Sequence, residues 1–267
     1  MTLHWLFGPL KPGTMRTRLI FGLDMASVPE ALALVDRLKD EVGLFKVGKQ
    51  LFMHAGPRIV REIRERGAEV FLDLKFHDIP RTVAKAAAEA TRLGVRMFDL
   101  HASGSFEMMK QAVAEVGRVC RKEGTPKPKI LAVTVLTSLN RDDLRRVGVM
   151  AGVESQVVRL ARLAKQAGMD GVVASPQEIA PIRKECGRNF LIVTPGIRLP
   201  KDEWDDQKRV MTPEAAVRAG ADYLVVASPI RDARDPVAAA REIVASMERG
   251  LAPSSSRTRA MPSREHP

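Results

Sequence analysis

Eight short apolar stretches recur along this chain, and a segment with helical periodicity separates each from the next. They are Arg18 to Met25, Leu44 to Gly48, Ala68 to Phe76, Arg96 to Ala102, Lys129 to Thr137, Gly171 to Ser175, Phe190 to Gly196 and Tyr223 to Ser228. Strands that are apolar on both faces need cover on both faces, and helical crossovers between parallel strands supply it. Eight such units predict closure into a (β/α)8 TIM barrel, an α/β fold in a single domain over residues 15–250. An open doubly wound sheet is the main rival. The helical rhythm is clearest from Pro29 to Val42, where Leu32, Val35 and Leu38 make a stripe and Ser27 with Glu30 spells a capping box. The stretch from Ser138 to Met150 reads as a longer loop after the fifth strand.

With 267 residues, 45% of them hydrophobic, the chain can bury one large core. No apolar run approaches the roughly 18 residues that span a bilayer. Residues 1–14 read as an N-terminal extension without the basic segment or small-residue cleavage site of a signal peptide, and Met15 offers an alternative start. Residues 251–267, rich in Ser, Pro and Arg, read as a disordered tail. A cytoplasmic location is expected. Cys120 and Cys186 have neither disulfide-framework nor zinc-ligand spacing. The net charge of +11 is scattered among acids, as in Arg61-Glu62-Ile63-Arg64-Glu65-Arg66, and aromatic content is 4%. Without a basic and aromatic platform, neither nucleic acid nor a membrane is the expected partner.

Charged residues sit inside the strands. In Val70-Phe71-Leu72-Asp73-Leu74-Lys75-Phe76-His77-Asp78, alternation puts Asp73 and Lys75 on the face of Phe71, with Val70, Leu72, Leu74 and Phe76 opposite. The same parity turns Asp24 away from Leu23 and Met25, and Lys46 away from Phe45 and Val47. Asp24, Lys46, Asp73 and Lys75 therefore point inward from three consecutive strands, at the barrel end where active sites form, and Asp78 follows in the loop. A purely structural ion pair is the plain alternative, although buried pairs contribute little to stability. An alternating array of this kind keeps lysines protonated and carboxylates ionised, which suits proton donation to a developing carbanion.

The run Asp73-Leu-Lys75-Phe-His-Asp78-Ile79-Pro80 resembles the signature of the orotidine 5′-phosphate decarboxylase family. Further matches follow in the family's order: Gly22-Leu-Asp24, Phe45-Lys46-Val-Gly48, Leu136-Thr-Ser138, Thr194-Pro195-Gly-Ile-Arg198 and Asp206-Gln207 through Thr212-Pro213. The likeness covers about residues 16–248 and implies decarboxylation of orotidine 5′-monophosphate to UMP at the barrel mouth, with no metal or cofactor. It implies catalytic roles for Lys46, Asp73, Lys75 and Asp78. Asp73 would face the departing carboxylate, Lys75 would protonate C6, and Lys46 would orient the array and touch the ribose. Substrate binding would fall to Asp24 on a ribose hydroxyl, Ser138 on the pyrimidine edge, Arg198 and Gln207 on the phosphate, and to Ile79, Thr82, Pro195, Ala227 and Ser228. Asp78 and Thr82 would reach the neighbouring subunit's site, which implies a homodimer.

One departure stands out. Family members usually end the eighth strand with Gly-Arg-Pro, the arginine gripping phosphate, whereas this chain has Ala227-Ser228-Pro229. Arg231, one helical turn on, is a candidate substitute. The departure keeps open a catalytically silent phosphate-ligand binder, and a phosphosugar lyase on the same barrel is the other alternative. Gly43 to Gln50 nearly spells a P-loop, but its middle reads as strand and Gln50 replaces the magnesium-binding hydroxyl. His77 reads as a hydrogen-bonded wall and His101 as part of the site floor.

Overall fold

All eight stretches contain strands, most of them shorter than the apolar stretch itself: β1 (Leu19–Gly22), β2 (Leu44–Gly48), β3 (Val70–Phe76), β4 (Met97–His101), β5 (Lys129–Val133), β6 (Gly171–Val173), β7 (Leu191–Thr194) and β8 (Tyr223–Val226). The computed structural model describes residues 15–199 and 211–251. Residues 1–14, Gln207 and all of the expected tail except Leu251 lie outside the described residues. The strands pair in parallel in chain order, and Ile20 of β1 lies beside Val225 of β8, so the sheet closes. The doubly wound rival is thereby overturned, because an open sheet never brings its first and last strands together.

The helices among the described residues are α1 (Val28–Leu38), α2 (Lys49–Ala55), α3 (Arg58–Glu65), α4 (Pro80–Arg92), α5 (Phe106–Glu123), α6 (Arg141–Arg146), α7 (Val153–Gln166), α8 (Ile179–Cys186), α9 (Pro213–Ala219), α10 (Ser228–Arg231) and α11 (Pro236–Leu251). None is long and apolar enough to cross a membrane. In α1 the Ser27 hydroxyl accepts from the Glu30 N–H at 3.3 Å, a cap that stabilises such a helix by about 1 kcal/mol. The buried stripe differs from the expected one: Ala31, Leu34, Val35 and Leu38 face the barrel, and Leu32 sits at the edge, half-buried. The expected loop from Ser138 to Met150 contains α6. Its signal is Asn140, which accepts from the Asp142 and Asp143 N–H groups while Asp143 accepts from the Asn140 N–H, a capping box on a short polar helix with one buried apolar residue, Leu144.

Two apolar layers follow from the strand alternation. Ile20, Leu44, Phe71, Met97, Leu131, Val193 and Val225 fill the interior, while Phe21, Phe45, Leu72, Phe98 and Ile130 pack outward under the helices. Phe21 and Phe45 meet edge-to-face at 6.2 Å between ring centroids, an arrangement that aromatic quadrupoles favour. The interior layer closes the barrel below the charged residues, so the mouth has an apolar floor.

Candidate active site

At the strands' C-terminal end, a cavity of about 420 Å³ opens above that floor. Its wall includes Asp24 just after β1, Lys46 of β2, and Phe71, Asp73 and Lys75 of β3. The inward charges are in contact. Lys46 Nζ donates to Asp24 Oδ1 at 2.8 Å and lies 3.3 Å from Asp73 Oδ2, while Lys75 Nζ donates to Asp73 Oδ1. The row therefore runs Asp24, Lys46, Asp73, Lys75 with alternating sign. Gly22 makes room for it, because a Cβ there would lie 3.1 Å from Asp24 Oδ2 and 3.3 Å from Lys46 Cε.

Burial and pairing act against each other on these groups. Lys46 and Asp73 are each only 9% exposed. Burial alone would lower the Lys46 pKa, but Asp73 and Asp24 outweigh it and raise it above the usual lysine value. Burial would raise the Asp73 carboxyl, yet Lys46 and Lys75 outweigh it and hold Asp73 well below the usual carboxylate range. Both stay charged. Fixed charges in a largely enclosed site are what electrostatic stabilisation of a charged transition state requires.

The other expected residues divide between two places. Pro195 and Arg198 after β7, and Ala227 and Ser228 after β8, line the same cavity as the charge row. Ser138 is exposed, and the wall there is made by its neighbours Leu136 and Thr137. Asp78 and Thr82 line a second, more open cavity with Lys49, Lys75, His77 and His101, while Ile79 is 67% exposed. His101 thus lies outside the main site floor, a correction to its expected position. Its ring packs 5.3 Å from His77, and burial, followed by His77, Lys49 and Lys75, lowers the His101 pKa to about 4, so His101 stays neutral near pH 7.

Two further charged residues bear on the site: Arg231, expected as a substitute for the missing arginine, and Asp99, which the sequence reading did not single out. Arg231 at the end of α10 lines the main cavity, donating from Nη1 to the Asp24 carbonyl at 2.9 Å and forking onto Asp232 at 2.6 and 2.8 Å. Asp99 of β4 is fully buried beneath Asp73 and Lys75 and accepts the Lys75 N–H at 2.8 Å. Strand parity counted from Met97 through Asp99 would have turned it inward, the same signal that found Asp73.

Residues 17–243 match the model of the Orotidine 5′-phosphate decarboxylase / HUMPS family. The chain is 55% identical over 236 residues to the orotidine 5′-phosphate decarboxylase of Syntrophotalea carbinolica, covering 88% of this chain and 97% of that one. It is 55% identical over 229 residues to the same-named protein of Geobacter sulfurreducens, covering 86% and 95%. The crystal structure of orotidine 5′-phosphate decarboxylase from Lactobacillus acidophilus superposes with a TM-score of 0.76 at 35% identity, over 86% of this chain and 98% of that one.

Proposed function

The chain belongs to the orotidine 5′-phosphate decarboxylase / HUMPS family, and on that premise we propose that it is a carboxy-lyase converting orotidine 5′-monophosphate to UMP with no cofactor. The observation that carries this reading is the contiguous row Asp24, Lys46, Asp73 and Lys75 at the barrel mouth. In the reaction the bond from C6 to its carboxylate breaks, CO₂ departs, and the electron pair stays at C6. Lys75 gives its Nζ proton to C6, and solvent restores it. Asp73, held ionised, faces the leaving carboxylate and disfavours the bound ground state relative to the charge-dispersed transition state. Lys46 fixes Asp73 and Asp24 from between them, and Asp24 and Lys46 hold the ribose hydroxyls. Ser138 reads the pyrimidine edge, and Pro195, Ala227 and Ser228 flank the nucleotide.

The test uses purified protein with orotidine 5′-monophosphate in EDTA, following the orotate chromophore. Its loss with release of CO₂ is the expected result. Binding without any change in absorbance would overturn the reading in favour of a silent ligand binder.

A homodimer with shared sites belongs to the same proposal. Asp78 and Thr82 open onto the second cavity, and the exposed Ile79 sits beside them, as residues that complete a neighbour's site would. The free thiols of Cys120 and Cys186 suit a reducing cytoplasm.

The phosphate falls to the loops after β7 and β8, where barrels of this kind commonly hold one. Arg198 and Gln207 carry it with the Ala227 and Ser228 amides, and Arg231 stands in for the arginine absent at Ser228. A guanidinium has five N–H donors, and the contacts to Asp232 and Asp24 engage three, so two stay available to a dianion. Arg231→Ala should lower kcat/KM by about 1.5–3 kcal/mol, the usual loss of a charged hydrogen bond, and Ser228→Arg should bring no gain. An unaltered Arg231→Ala together with a faster Ser228→Arg would show that the arginine was never replaced.

A further inference from the structure

β3 and β4 pair at Phe71 with Met97 and at Leu72 with Phe98, and next at Phe76 with Leu100. Over that interval β3 spends four residues where β4 spends two. The surplus lifts β3 off the ladder and removes the regular backbone partners of the residues between. Lys75 lies in this bulge with φ of 51°, a left-handed conformation that a residue with a Cβ keeps only when its surroundings hold it there.

Asp99 does the holding. Its side chain is fully buried, and Oδ1 accepts the Lys75 N–H at 2.8 Å, supplying the acceptor that the broken ladder lacks. Among the described residues, no hydrogen-bond donor reaches its Oδ2. The same carboxyl interacts electrostatically with Asp73, whose oxygens take the Lys46 and Lys75 ammonium groups. Of two carboxyls that repel each other away from water, one is driven toward the protonated form. Asp73 has the two cations, so the charge is there. Burial first, and then the Asp73 charge, push the Asp99 carboxyl well above the usual range, toward the protonated form.

We propose that Asp99 is a positioning residue for the reacting pair, accepting from the Lys75 backbone N–H with one oxygen and donating its O–H to Asp73, so that the proton donor and the carboxylate keep one relative geometry. It lines neither the main nor the second cavity. The inference rests on the decarboxylase reading for its kinetic consequence, but the geometry itself can be read without turnover.

Asp99→Asn keeps one acceptor and one donor in the same shape, whereas Asp99→Val removes both. Asp99→Ser, smaller and too short to bridge, serves where the valine variant does not fold. The asparagine variant should keep kcat within about threefold of the parent, and the valine and serine variants should lose about 100-fold, the scale of a misplacement near 1 Å, with KM shifted less than about threefold. Amide exchange at Lys75, followed by NMR, should stay slow in Asp99→Asn and become fast in Asp99→Ser. Near-normal kcat in the serine or valine variant, an asparagine variant as slow as valine, or a Lys75 amide equally protected in Asp99→Ser would each overturn the proposal. A parent protein without turnover would instead indict the decarboxylase reading, and the amide exchange would still decide the role of Asp99.

Discussion

Lys75→Ala should lower kcat/KM for orotidine 5′-monophosphate by roughly 10⁴-fold or more while the barrel stays folded. A positioned proton donor commonly contributes 10²–10⁴-fold, and a fixed charge aimed at the transition state adds on the order of 10²–10³. Lys75 supplies both, being the ammonium on Asp73 and the expected proton source for C6. Folding should survive because Lys46 remains 3.3 Å from Asp73, so the truncation leaves no buried carboxylate without a cation. In Asp73→Ala, likewise, Lys46 keeps Asp24 at 2.8 Å. Truncations that break a buried pair are costly mainly when they strand a charge. Stability within about 1 kcal/mol of the parent is therefore expected for Lys75→Ala, measured by thermal unfolding beside the turnover assay. Near-normal turnover in either variant would sink the mechanism, and loss of folding in both would mark the row as a structural ion pair.

Mixing two inactive variants should produce an active protein. If Asp78 completes the neighbour's site, a hybrid dimer of one Lys75→Ala subunit and one Asp78→Ala subunit carries both lesions in one site and neither in the other. Random exchange of equal amounts makes about half the dimers hybrids, each with one intact site, so about a quarter of normal activity should return from a background near zero. The placement behind this expectation is the separation of Asp78 from the main cavity, on the far side of Lys75 in the more open one. No recovery after demonstrated subunit exchange, followed with differently tagged subunits, would refute the shared site.

Strand count, parallel pairing and the inward charges were legible because each depends on a local period. Alternation fixes which side of a strand Phe71 and Asp73 take, and the recurrence of strand and helix fixes parallel pairing. Where the local rule was interrupted, the reading stopped. Ser138 to Met150 carried too few apolar residues to announce α6 by periodicity, and only the Asn140 and Asp143 cap marked it. Parity assigned Lys75 the correct face, but it supposed a regular strand, whereas the residue sits where β3 slips register against β4, its N–H on Asp99. His101 has the parity of Met97 and Asp99, yet beyond the bulge it lines the other cavity.

By itself, then, the sequence determined eight parallel strands, an apolar interior under a charged rim, and the residue types that meet there, since side-chain alternation and amphipathic period are properties of a few consecutive residues. The tertiary structure alone decided which of those charges touch. Closure of the sheet brings Arg231 to the Asp24 carbonyl across 207 residues of chain, and the mismatch between β3 and β4 lays Asp99 against Lys75. Contacts of that kind depend on strand register and on the meeting of the barrel's two ends, which no local periodicity encodes.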